Sequence, residues 1–159
     1  LRKCLHLMVA SKQFEPFDKT KGEASELIVT VNSFSFKKGI PPDTSGNGGG
    51  FVFDCRAIEN PGRYNEYKKL TGRDQPVMDF LKQQKSMDDF LQNVFALVDS
   101  SVENYIERNF ASLTVHFGCT GGQHRSVFSA DRLAKHLRDK YAVKVNLKHV
   151  EQEAKNWIN

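Results

Sequence analysis

The sequence predicts an α/β fold: a small, largely parallel sheet of about four strands flanked by helices. Three observations carry this. β-Branched and apolar runs occur at 26–36, 51–56, 113–118 and 142–150. Stretches with apolar residues at helical spacing separate the last three. A glycine-rich turn joins one of these strands directly to a helix, the kind of junction at which α/β proteins bind ligands. Such alternation packs helices on a parallel sheet, and three layers are expected.

Residues 1–25 mix basic, polar and apolar side chains without a period and read as a linker or the remnant of an upstream domain. The chain starts at Leu1, so a covalently linked upstream domain is expected. The domain proper is placed at 26–159. "ELIVTVNSFSF" (26–36) is the first strand. "PPDTSGNGGG" (41–50) is a flexible loop; it lacks the Gly-Lys-Ser/Thr of a nucleotide-binding P-loop. "FVFDCR" (51–56) is a short strand that turns polar at Asp54. Cys55 should face away from Asp54 and Arg56 and be buried and inert.

Pro76 suits the first turn of a short helix, 76–84. Ser86 and Asp89 resemble a capping box that opens a long helix over 86–109, with Phe90, Leu91, Val94, Val98 and Val102 on its apolar stripe. "LTVHFG" (113–118) is the third strand, with His116 a packed or hydrogen-bonded core residue. Val127, Ala130, Leu133, Ala134, Leu137 and Tyr141 give the next helix its core face. "AVKVNLKHV" alternates as the last strand.

Composition narrows the function classes. The chain is 39% hydrophobic and 26% charged, ordinary for a soluble globular domain. No apolar run approaches the ~20 residues of a membrane-spanning helix, and no signal-peptide pattern is present. Cysteines at 4, 55 and 119 are odd in number and form no CxxC pair, which excludes a disulfide framework and a zinc site. A reducing, cytoplasmic setting is expected, with no metal. The net charge of +4 permits phosphate or RNA as partners without demanding either. Oligomerisation is left open.

The chemistry concentrates in "GCTGGQHRS" (118–126). A helix N-terminus offers unpaired N–H groups and about half a positive charge. Gly121 and Gly122 let the backbone curl. Arg125 can hold a phosphate with two parallel bonds, and Ser126 can cap the helix or donate to the same anion. These parts make an anion cradle. The spacing C-x-x-G-x-x-R-S also resembles the loop of cysteine phosphatases. On that reading Cys119 is the nucleophile, Arg125 binds the phosphoryl oxygens and Ser126 assists. Gly118 stands where the tyrosine-phosphatase version carries histidine, and only Asp54 and Asp74 offer themselves as general acid, by elimination.

Four ordered blocks carry a wider resemblance: "SFSFKKGIP" (33–41), "FVFDCRAIENP" (51–61), "LTGRDQPVMDFL" (70–81) and "LTVHFGCTGGQHRSV" (113–127). They resemble the RapZ C-terminal domain family of RNase adapter proteins, whose blocks read SFGFKYGIP, FDVRFLPNP, TGLDKPV and LTVAIGCTGGKHRSV. The resemblance implies a non-catalytic regulatory domain that binds a phosphosugar, glucosamine-6-phosphate, and that presents small regulatory RNAs to RNase E. Carried over by position, the ligand set is Cys119, Thr120, Gly121, Gly122, His124 and Arg125, with Asp54, Arg56 and Asn60 opposite; the cradle itself adds Ser126. No cofactor is implied here; ATP would enter only through an upstream domain. Three positions depart from the family. Gly62 replaces a histidine, Gln123 replaces a lysine, and "EQEAKNWIN" replaces a basic tail tied to RNA binding. Lys144 and Lys148, with His149 beside them, are what remains for RNA, so RNA is the weaker partner expectation.

Overall fold

The computed structural model describes residues 25–159. The expected linker or upstream remnant therefore lies, but for its last residue, outside the described residues. Four strands, β1 (Ile28–Ser35), β2 (Phe51–Asp54), β3 (Ser112–Cys119) and β4 (Lys144–His149), are joined by α1 (Gln75–Lys82) and α2 (Lys85–Glu107) between β2 and β3 and by α3 (Arg125–Lys140) between β3 and β4, and α4 (Val150–Ala154) follows β4. All strand pairs are parallel, in the order β2-β3-β1-β4. The α/β fold and its four-stranded parallel sheet are as the sequence predicts.

The crossovers explain how the layers form. From β2 to β3 and from β3 to β4 the chain moves in one direction along the sheet, through helices. From β1 to β2 it moves in the opposite direction. Crossovers between parallel strands keep one hand, so a reversed step must pass over the opposite face. The 36–50 connection does so, and Asn47 Nδ2 donates to Ser112 Oγ at 2.9 Å on that face. Among the described residues the result is two layers rather than the expected three. Apolar side chains of one sheet face (Val29, Val31, Val115, Phe117) form a single core with Val94, Val98 and Val102 of α2 and Leu133 and Leu137 of α3. Each such buried side chain contributes about 1.5–3 kcal/mol relative to exposure. The other sheet face carries Thr30, Asn32, Thr114 and His116, with exposed Val52, Lys144, Asn146 and Lys148 toward its edges.

Two local expectations need correction. α2 starts before Ser86, because the Gln84 carbonyl already accepts from Met87 and Asp88 N–H. Gln84 is the N-cap and makes no side-chain cap bond. Asp89 pairs with Lys85 instead of closing a capping box. Ser126 does not cap α3 either; the helix begins at Arg125, with His124 at the N-cap. Pro76 sits in the first turn of α1 as expected. Cys55 is fully buried, and burial pushes its thiol pKa up. His116 is buried against Asn32, with its pKa lowered by burial.

Candidate functional site

The carboxyl ends of β1, β2 and β3 meet at the Cys119–Ser126 turn. Phe36 N–H donates to Cys119 O at 3.0 Å, Ser35 Oγ to Thr120 O at 2.7 Å, and Cys55 N–H to Gly118 O at 2.8 Å. Both neighbouring strands thus fix the start of the turn. Gly118 has a steric reason: a Cβ there would lie 2.3 Å from the Phe36 ring and 2.6 Å from the Phe34 ring. The histidine of tyrosine phosphatases could not stand at this position without displacing both rings. Gly122 takes φ +63, and a Cβ would meet Glu151 Cγ at 2.7 Å. Thr120 and Gly121 are exposed and form the open side of the turn.

Past Gly122 the side chains turn to protein carbonyls. Gln123 Nε2 donates to Lys68 O and Leu70 O, both at 2.7 Å. His124 Nε2 lies 2.9 Å from Tyr67 O and donates to it, and burial lowers the His124 pKa. Gly72 N–H donates to Gln123 O at 3.0 Å, and a Cβ on Gly72 would fall 2.3 Å from His124 O. Residues 67–72 are thereby clasped against the turn. In the sequence Gln123 stands out only as a departure from the family. Its partners, two carbonyl acceptors some 53–55 residues upstream, are nonlocal, and so is the Gln123 carbonyl that Gly72 meets.

Arg125 is almost wholly buried. Its Nη1 donates to Arg56 O at 3.0 Å and Ile58 O at 2.8 Å, while its Nε is buried without a partner among the described residues. A buried, unpaired guanidinium N–H is costly in a folded protein. Ser126 Oγ lies 3.0 Å from Cys119 Sγ, both buried. Phe128 N–H bonds His124 O, so the N–H groups just ahead of it lie where a helix start has no carbonyl to meet them.

Across from the turn, Asp54 and Arg56 form a half-exposed ion pair at 2.7 Å. The Arg56 guanidinium, and more weakly Arg125, hold the Asp54 carboxyl below its usual range. Arg56 also lies 4.2 Å over the Phe36 ring. Asn60 Oδ1 accepts from Gly62 N–H at 3.0 Å. A side chain at Gly62 would begin 3.4 Å from the His124 ring, so glycine leaves that spot beside His124 and Asn60 without a side chain. Asp74 accepts from Thr71 N–H and Oγ1. Lys144 and Lys148 are not part of this cluster: they are exposed on edge strand β4, with β1 between them and β3. Among the described residues no group of three or more His, Cys, Asp or Glu could hold a metal ion, and no helix is long and apolar enough to cross a membrane.

Fold and turn together define an all-parallel α/β domain whose polar side chains converge on one strand-to-helix junction. The chain belongs to the RapZ C-terminal domain family, whose model matches residues 27–153. It is similar to a nucleotide-binding protein of Ralstonia nicotianae, 41% identical over 116 residues, which are 73% of this chain and 38% of the relative. A nucleotide-binding protein of Lactiplantibacillus plantarum is 36% identical over 144 residues, 90% of this chain and 47% of the relative. One of Acinetobacter baylyi is 35% identical over 136 residues, 86% and 45%. The chain spans less than half the length of these curated relatives.

Proposed function

We propose that the domain is a non-catalytic binding module whose Cys119–Ser126 turn takes a phosphorylated small molecule, a sugar phosphate by preference. The observation that carries this is the buried Nε of Arg125 at the first position of α3, which has no partner among the described residues. A phosphoryl oxygen there would satisfy it, with the helix start and the glycine turn supplying backbone N–H groups. On this reading the Asp54–Arg56 pair and Asn60 would meet hydroxyl or amine groups of a sugar. RNA is a secondary partner, through phosphate contacts whose affinity falls steeply with salt. Titration with glucose-6-phosphate and with inorganic phosphate, followed by amide NMR, should shift residues 119–126. Unmoved resonances at millimolar ligand would overturn the reading.

A second reading rests on the Cys119 Sγ–Ser126 Oγ distance of 3.0 Å and the C-x-x-G-x-x-R-S spacing: a cysteine-dependent phosphatase. Against it, Asp54 is engaged by Arg56 and Asp74 by Thr71, so neither stands free as a general acid. Turnover of an aryl phosphate that vanishes in Cys119→Ser would reverse the preference.

A further inference from the structure

The sheet face opposite the core holds a cleft unrelated to the Cys119 turn. Its volume is about 330 Å³, and its floor is the amino-terminal half of β1 and β3, with Thr30, Asn32, Ser112 and Thr114. Residues 42–47 form its roof. That roof is tied to the sheet twice. Asn47 donates to Ser112, and Gly50 lies so close to β3 that a Cβ would fall 2.1 Å from Thr114 O.

Asn32 is the unexplained residue. It is only 8% exposed, lines the cleft, and its Oδ1 has no partner among the described residues. Its Nδ2 is occupied by His116 Nδ1 at 3.3 Å. Turning the amide over would only change which atom is left unpaired. A buried amide oxygen without a donor is a cost that a ligand donor can remove.

The lining restricts what that ligand is. Among the described residues no lysine or arginine lines the cleft, and the one ionisable side chain there is Asp43. It is held as a carboxylate by hydrogen bonds from Ser45 and from the Gly48 N–H. Phosphate would meet a negative charge and no cation. The hydroxyls of Thr30, Ser112 and Thr114 can both donate and accept, and Ile28 and Pro42 add apolar surface suited to C–H groups. The volume is at the small end of the ~300–1,000 Å³ of ligand sites, the size of one small molecule.

We propose that this cleft binds a small, uncharged, polyhydroxylated molecule, a free sugar or sugar-like polyol, with one of its hydroxyls donating to Asn32 Oδ1. The site is separate from the anion turn and does not depend on the function proposed for it.

The test is a titration of the protein with glucose, followed by amide NMR, beside a parallel titration with inorganic phosphate. Glucose should shift residues 30–32, 43–47 and 112–114, with millimolar saturation, and leave 119–126 unmoved; phosphate should do the reverse. Asn32→Leu should abolish the glucose shifts. Thr114→Val, which keeps side-chain shape on a half-buried surface position, should weaken them about tenfold and serves should Asn32→Leu fail to fold. Absence of glucose shifts in the wild type, or equal shifts in a folded Asn32→Leu or Thr114→Val variant, overturns the proposal. So does the appearance of the same shifts on raising protein concentration alone, which would mean that a second copy covers the cleft. Failure of the phosphate arm alone strikes the anion reading and leaves this one standing.

Discussion

Arg125 Nη1 holds the Ile58 carbonyl at 2.8 Å, while Nε of the same guanidinium has no partner among the described residues. One side chain therefore serves the fold with one nitrogen and leaves another unpaired, the atom proposed to meet a phosphoryl oxygen. Arg125→Lys separates the two uses. A lysine ammonium can reach one carbonyl but cannot present a fork. Stability is expected to fall by about 1–3 kcal/mol, the cost of a buried acceptor losing its donor. Phosphate affinity should fall at least about tenfold. Denaturant unfolding and phosphate titration read the two effects separately. An unchanged phosphate affinity in a folded variant would remove Arg125 from the site.

Gly72 packs its backbone against the start of α3. A Cβ would lie 2.3 Å from His124 O and 2.6 Å from Phe128 N, both backbone atoms that cannot swing aside. Gly72→Ala should destabilise the domain by about 1–3 kcal/mol through overpacking and should shift the amides of residues 119–128. Thermal unfolding and an amide spectrum check this. A variant as stable as the wild type would show that residues 67–72 are not clasped to the turn.

Gln123 bonds two carbonyls of that same segment. Gln123→Ala should cost about 1–2 kcal/mol, since two modest hydrogen bonds are lost at a half-exposed position. Gln123→Lys should cost roughly half as much, because an ammonium carries three donors and can reach the same acceptors. Urea midpoints at matched m-values decide the order. Equal losses in both variants would mean that an ammonium does not replace the amide donor, and no loss in Gln123→Ala would mean that the carbonyl contacts contribute nothing.

The sheet and its strand-to-helix junction were legible because they rest on local signals. β-Branched runs, the 3.6 period of α2 and α3, and the glycines of the turn all lie within short windows. The face on which the 36–50 loop lies was not legible, because it follows from strand order. That order puts β3 between β1 and β2, and no local pattern records it. The site divides in the same way. Cys119, Gly122 and Arg125 stand out by spacing. The clasp of Gln123, His124 and Gly72 on residues 67–72 is made of carbonyl acceptors, which every residue possesses and no sequence marks. Ser126 and the expected Ser86 capping box failed for one reason. Polar side chains near a helix start make good caps only when the backbone places them at the N-cap, and here Gln84 and His124 occupy those places.

His124 sets the pH response of the clasp. Burial lowers its pKa below the usual 6.5, against the opposing pull of the Tyr67 and Leu70 carbonyls. The folded protein therefore binds fewer protons here than the unfolded chain. The stabilising contribution is full above about 6.5 and is lost as pH falls below it. His116, also lowered by burial, adds in the same direction. Unfolding free energy should thus drop between pH 7.5 and pH 5.5. His124→Gln keeps a donor for Tyr67 O and removes the titration, so it should flatten part of that slope while leaving the His116 part. Denaturant unfolding at several pH values measures both curves. An identical pH slope in the variant would show that His124 is not held neutral by the fold.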